Sequence, residues 1–204
     1  MARYGMVIDL RKCRGCWTCT AVCSVENNVP VDRAGSDAGA QLEKWAAGEL
    51  NYYNMGVLTT AINGQRRSIP IPCMHCEDAP CVKVCPVQAT YKRADGIVVV
   101  DAGKCIGCKS CVAACPYHAR YIREVAVNGE PKGVAGKCQF CAHLVVQGEV
   151  PVCVRSCQSN AIKFGDLDDP NSAAVKVLAA MDKTKVRTLK PEYKTSPKVH
   201  YITF

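Results

Sequence analysis

The apolar positions of this chain fall in short runs separated by polar or cysteine-rich stretches. Tyr4 to Asp9 (YGMVID) is a β-branched run that predicts a strand leading directly into the first cysteines. Asp37 to Leu50 places Leu42, Trp45, Ala46 and Leu50 near one face of a 3.6-residue repeat and predicts a short helix. Asn51 to Gly56 reads as a turn. Val57 to Ile62 reads as a strand closed by the hairpin dipeptide Asn63-Gly64, and Gln65 to Ile71 as the returning strand that delivers Cys73. Ala89 to Lys92 and Ile97 to Asp101 flank Asp95-Gly96 and predict a second hairpin. Arg120 to Glu124 and Ala161 to Gly165 are further strands, with a turn at Asn128-Gly129 between them. Asp169 as N-cap and Pro170 at the first helical position predict a helix through Ala173 to Met181. Thr188 to Phe204, with prolines at 191 and 197 and little periodicity, reads as an extended arm ordered by a partner.

Between these runs stand sixteen cysteines in four blocks. Cys105, Cys108, Cys111 and Cys115, followed by Pro116, have the C-x2-C-x2-C-x3-C-P spacing of bacterial ferredoxins, the ligand pattern of a 4Fe–4S cluster. Cys73, Cys76, Cys81 and Cys85, followed by Pro86, repeat it with two extra residues before the third cysteine. In a two-cluster ferredoxin the fourth cysteine of each run ligates the cluster of the other. One cluster therefore takes Cys105, Cys108, Cys111 and Cys85, and another takes Cys73, Cys76, Cys81 and Cys115. The first block is Cys13, Cys16, Cys19 and Cys23; the fourth is Cys138, Cys141, Cys153 and Cys157, with its middle loop stretched. Ser24 and Gln158 stand where the proline would be. A strand precedes the first block and another follows the fourth, so these two complete each other as a second ferredoxin-like unit, although the spacing also permits pairing of neighbouring blocks. In the former arrangement Cys13, Cys16, Cys19 and Cys157 hold one cluster, and Cys138, Cys141, Cys153 and Cys23 hold the other. The fold expected is α+β: two ferredoxin-like double βαβ domains, with an inserted hairpin and helix region and an extended C-terminal arm. The boundaries are residues 1–29 plus 134–168 for the outer domain and 71–133 for the central one. Residues 30–70 form the insertion, a subunit-docking element, and 169–204 the helix and arm.

Composition sharpens this reading. With the cysteines set aside, the hydrocarbon left for a core is modest, so metal–thiolate bonds must supply folding free energy. Zinc ribbons use CxxC pairs across longer loops, and a disulfide framework suits a smaller secreted domain; no signal peptide of its own is expected for this chain. The formal charge of +8 would point to nucleic acid or an anionic membrane. Four clusters at about −2 each offset it, and the basic residues become counter-charge that helps set cluster potentials. No apolar run approaches the length of a membrane span. Trp17 is expected to pack over the first cluster and exclude water. His75, His118 and His143 lie near ligands, where hydrogen bonding is their expected role. There is no phosphate-binding loop and no nucleophile–base constellation, so catalytic residues are expected to be none.

The four blocks together resemble the iron–sulfur electron-transfer subunit of the dimethyl sulfoxide reductase family of molybdenum or tungsten enzymes, as in polysulfide, thiosulfate, tetrathionate and arsenate reductases. The resemblance is carried by Met6-Val-Ile-Asp9, Cys73-Met-His-Cys76-Glu-Asp-Ala-Pro-Cys81, Cys138-Gln-Phe-Cys141, Gly165-Asp-Leu-Asp-Asp-Pro170, Leu189-Lys-Pro-Glu192 and Pro197-Lys-Val-His-Tyr201. It implies pairing of the first block with the fourth and the second with the third, four 4Fe–4S clusters, and a non-catalytic electron relay. It also implies a large catalytic partner with a bis-pyranopterin metal site and a membrane quinone-reactive subunit or other carrier. The complex would sit on the outer, periplasmic face by co-export with a twin-arginine partner, with the cytoplasm as the other location. A free polyferredoxin, or the corresponding subunit of a formate dehydrogenase or hydrogenase, shares the four-cluster plan.

Overall fold

The computed structural model describes residues 2–29, 53–62 and 64–204. The helix expected over 37–50 and the turn residue Asn63 lie outside the described residues. The elements, in chain order, are β1 Tyr4–Asp9, α1 Thr18–Glu26, β2 Met55–Ile62, β3 Gln65–Pro72, α2 Pro80–Lys83, β4 Thr90–Lys92, β5 Val98–Val100 and α3 Ser110–Ala113. They continue as β6 Tyr121–Ile122, β7 Ala135–Gly136, α4 Ala142–Val145, α5 Val152–Arg155, β8 Ile162–Asp166, α6 Ala173–Ala179, β9 Val186–Arg187 and β10 Val199–Ile202.

A four-stranded sheet in the order β8-β1-β10-β9 ties the two chain ends together. β1 runs antiparallel to β8, from Tyr4 opposite Asp166 to Ile8 opposite Ile162, so the strand before the first block is joined to the strand after the fourth. β1 also runs parallel to β10, with Met6 opposite Val199 and Ile8 opposite Tyr201. Thr188 to Phe204 is thus not an arm awaiting a partner: its end is an interior strand with Val199, Tyr201 and Ile202 buried. The strand is four residues long and covered on both faces, so it lacks the alternation that marks a half-exposed strand.

The two faces of this sheet separate by the period-2 rule. Met6, Ile8, Val199 and Tyr201 join the main core together with Phe140, Phe164 and cysteines from all four blocks. Val7 and Ile202 face the other way, under Ala174 of α6 with Leu167, Val177, Leu178 and Met181 around them. α6 begins later than expected. Ser172 is its cap, with Oγ accepting from the Val175 amide at 3.3 Å. Asp169 instead closes a preceding turn by accepting from the Asn171 amide at 2.8 Å.

β2 and β3 form the long hairpin, in register from Met55 opposite Pro72 to Ile62 opposite Gln65. The strand therefore starts at Met55, and the turn expected to reach Gly56 does not. The second hairpin is β4–β5, and β6, within the strand expected over 120–124, pairs antiparallel with β7. Helix length follows the punctuation after each fourth cysteine. Pro86 and Pro116 follow the four-residue helices α2 and α3, whereas Ser24 lets α1 run nine residues. In the fourth block Gln158 does not extend α5, because Asn160 turns the chain back at φ 54°.

Candidate metal centre

Each block opens with a C-x-x-C loop, and in all four the residue before the second cysteine is left-handed: Gly15 at φ 66°, His75 at 44°, Gly107 at 68° and Phe140 at 52°. This conformation turns successive backbone N–H groups inward, the concave arrangement that suits an anionic group. Two of the four must be glycine. A Cβ at Gly107 would stand 2.3 Å from the Gly133 oxygen, and one at Gly15 would stand 2.2 Å from Ser68 Oγ. At the other two positions a side chain is accepted despite the strain, because the rings meet: His75 stacks on Phe140 with centroids 3.7 Å apart and planes at 21°. The residue three past the fourth cysteine is also left-handed in the last three blocks, at Gln88, His118 and Asn160.

These turns bring the cysteines together across blocks. Cys23, Cys138, Cys141 and Cys153 line one pocket with Met6, Met55 and Phe140. Cys85, Cys105, Cys108 and Cys111 line another. In a third set, Cys73, Cys76, Cys81 and Cys115 are all buried, and Cys76 faces Cys73, Cys115 and Cys81. In the fourth, Cys13 and Cys19 both face Cys157, and Cys13 faces Cys16. Each grouping takes three cysteines from one block and one from another.

The environment of the sulfurs is one that accepts negative charge. Main-chain amides donate to Cys85 from Thr90 at 3.4 Å, to Cys105 from Ala135 at 3.4 Å, to Cys138 from Phe140 at 3.4 Å and to Cys157 from Ala161 at 3.3 Å. Asn27 Nδ2 donates to Cys23 at 3.5 Å, and Arg120 Nη2 donates to Cys81 at 3.1 Å. Against this, burial pushes the thiols up, Cys19 and Cys115 to about 11 and Cys76 and Cys138 to about 12. Buried thiolates therefore require a cation, and a coordinated metal deprotonates a thiol outright. Among the described residues no three Cys, His, Asp or Glu side chains converge closely enough to hold a single metal ion. Thiols spread around a cavity wall suit the several irons of a cluster instead. Two buried nitrogens in this interior, His75 Nε2 and Arg120 Nε, have no hydrogen-bond partner among the described residues and would be available to a bound cluster. The residues present fit 4Fe–4S clusters.

Trp17, expected over the first cluster, is half-buried at the start of α1 and meets Tyr53 edge-on at 6.4 Å. His143 lies at the surface on Glu26 at 2.8 Å. His75 is the histidine that matters to the interior: it is fully buried, its Nδ1 accepts from the Val98 amide at 3.0 Å, and burial first, then Lys137, Lys198 and Arg120, hold it well below its ordinary pKa. Its stacking on Phe140 was not legible in sequence, although the shared third position of two C-x-x-C loops was a signal that could have found it. No helix among the described residues is long and apolar enough to cross a membrane.

A model of the 4Fe–4S dicluster domain matches residues 66–167. Over 99% of its length the chain is 41% identical to the iron–sulfur subunit of a putative dimethyl sulfoxide reductase of Halobacterium salinarum, covering 79% of that protein. It is 42% identical to a tetrathionate reductase subunit of Salmonella typhimurium, over 98% of this chain and 72% of that one. It is 37% identical to one of the polysulfide reductase chains of Wolinella succinogenes, over 98% and 94%.

Proposed function

Because the chain belongs to the iron–sulfur subunits of the dimethyl sulfoxide reductase family, we propose that it relays single electrons through four 4Fe–4S clusters to or from a catalytic molybdenum or tungsten subunit. Bound to the sixteen cysteines, each cluster supplies reversible one-electron chemistry. Cys13, Cys16, Cys19 and Cys157 hold the first; Cys23, Cys138, Cys141 and Cys153 the second; Cys73, Cys76, Cys81 and Cys115 the third; Cys85, Cys105, Cys108 and Cys111 the fourth. The chain itself performs no substrate chemistry.

The observation that carries this reading is the continuity of the four sets. α1 bears Cys19 of the first set and Cys23 of the second, one helical turn apart. Cys138 of the second faces Cys73 of the third. The turn through α2 links Cys81 of the third to Cys85 of the fourth, and α3 links Cys111 of the fourth to Cys115 of the third. The middle sets are buried, while Cys16 in the first and Cys108 in the fourth are exposed. A series that is closed to water in the middle and open at its two ends suits entry of electrons at one end and exit at the other. Cysteine sulfurs and their amide donors hold the clusters in place, and burial keeps solvent from the inner pair.

The division into an outer unit, residues 1–29 plus 134–168, and a central unit, 71–133, follows the same pairing. Its support is the β1–β8 register. The partner at one exposed end is a large catalytic subunit with a bis-pyranopterin metal site, and at the other a quinone-linked membrane subunit or a carrier. The complex lies on the outer face of the membrane after co-export with its partner, and residues 30–70 dock a neighbouring subunit. Anaerobic isolation of the native protein with its partners, followed by metal analysis, tests this. About sixteen iron per chain and molybdenum or tungsten in a large second chain are expected. Iron at that level with no partner makes it a free polyferredoxin, and zinc in place of iron overturns the reading.

A further inference from the structure

Among the described residues, three cations lie almost wholly out of solvent in the interior: Arg120, Lys137 and Lys198. Lys198 has ordinary partners, Glu77 at 2.8 Å and the Gly96 oxygen at 3.1 Å. Arg120 and Lys137 have none that carries charge in the protein hydrogen bonds they make. Lys137 Nζ donates to the main-chain oxygens of Val98 and Cys138. Arg120 donates from Nη1 to Thr90 Oγ1 at 3.2 Å and from Nη2 to Cys81 Sγ at 3.1 Å, while its buried Nε has no partner among the described residues. A guanidinium does not escape burial by losing its proton, and a buried cation without a counter-ion is among the costliest arrangements a protein can hold. What surrounds both side chains is sulfur. Arg120 faces Cys81, Cys73, Cys111 and Cys115, and Lys137 faces Cys73, Cys138 and Cys81.

We propose that Arg120, supported by Lys137, is the counter-ion of the cluster held by Cys73, Cys76, Cys81 and Cys115 and makes it the highest-potential cluster of the four. This rests on the cluster assignment above. The step concerned is a one-electron transfer in which no bond forms or breaks: the neighbouring cluster is oxidised by one electron as this one is reduced. Reduction adds a negative charge, and a fixed cation within hydrogen-bonding distance of a ligand sulfur in a water-free interior favours the reduced form. At the other sets the hydrogen bonds to sulfur come from neutral groups, among them the amides of Thr90, Ala135, Phe140 and Ala161 and the Asn27 side chain. The cations facing the second set, Lys137 at Cys138 and Arg155 at Cys141, make no hydrogen bond to its sulfurs among the described residues. The relay is therefore uneven, with a resting place for an electron at its third position rather than four matched steps. Thr90 joins that position to the next, since its hydroxyl receives Arg120 while its amide serves Cys85 in the fourth set.

The test is an electron paramagnetic resonance redox titration of the purified holo-complex carrying Arg120→Gln. The most positive of the four midpoint potentials is expected to fall by at least the equivalent of a tenfold weaker reduction, about 59 mV for one electron, with the other three smaller in their response. Arg120→Lys, which keeps the charge but not the planar fork, is expected to move the same midpoint less. If Arg120→Gln does not assemble, Lys137→Met is read in its place and is expected to lower that same midpoint. No movement of any midpoint, or movement of one that is not the most positive, overturns the proposal. Fewer than four clusters in the unmodified complex would instead mark failure of the cluster assignment itself.

Discussion

Tyr201 fastens the C-terminal strand to the metal-binding half of the molecule, and removing its hydroxyl should loosen both. The side chain is 1% exposed, and its hydroxyl donates to the Pro70 oxygen at 2.9 Å. Pro70 lies in β3, the strand that ends at Pro72 and delivers Cys73. Tyr201→Phe keeps nearly all of the packing and leaves one buried carbonyl without its donor. A group left unsatisfied in this way costs about 1–3 kcal/mol, which is roughly a five- to 150-fold change in an opening equilibrium. The amides of Met6 and Leu10 report that opening, since they donate to Lys198 at 2.9 Å and Ile202 at 3.0 Å across the β1–β10 seam. Hydrogen exchange on the holoprotein, with iron content matched between variants, should show protection at these two amides falling within that range. Unchanged protection at both would refute the claim that the C-terminal strand is an integral, fastened part of the sheet.

Three further outcomes follow from the geometry. Gly107→Ala should strip the cluster at Cys85, Cys105, Cys108 and Cys111, about a quarter of the bound iron, because the added Cβ would meet the Gly133 oxygen at 2.3 Å; Lys109→Gly, at φ 64° two residues on, should retain full iron. Glu77 is held down to about 2, from 4.5, by hydrogen bonds from Lys198 first and then Lys92. Its depressed value means that its contribution is complete above pH 4.5 and lost as pH falls toward 2, so wild type should exceed Glu77→Gln in resistance to unfolding above that window and converge with it at the acid end, as read by acid titration of cluster absorbance in both. Phe140→Ala removes the ring stacked on His75 and leaves an apolar gap beside Cys138, and should cost about 3–5 kcal/mol, measured as faster cluster loss to a chelator than in Phe140→Leu.

The chemistry was far more legible in the sequence than the sheet that frames it. Cysteine spacing carries ligand geometry directly, because three thiolates within a short loop can grip only a small object. The hairpins at Gly64 and Gly96 were marked by dipeptides ending in a glycine, the residue that most readily takes the left-handed backbone found at both. β10 carried no such mark: Val199–Ile202 pairs in parallel with β1, nearly the whole chain away, and is buried on both faces. β7 was still less visible. Ala135 and Gly136 have poor strand propensity, and the glycine is there for a tertiary reason, since a Cβ at Gly136 would meet the Tyr121 ring of β6 at 2.5 Å. The start of α6 was misplaced because Asp169 and Pro170 imitate a helix opening, while the Ser172 hydroxyl supplies the cap three residues beyond Asp169. The +8 charge count suggested counter-charge in general, but which cations are buried depends on folds of chain that no local pattern encodes.

The central claim is the exchange of fourth cysteines between blocks, and anomalous iron scattering from crystals of the anaerobically purified holoprotein tests it most directly. Four iron peaks are predicted, each bounded by three cysteines of one block and one of another, with Cys23, Cys157, Cys85 and Cys115 as the exchanged ligands. Iron bounded in each case by the four cysteines of a single block would contradict the account.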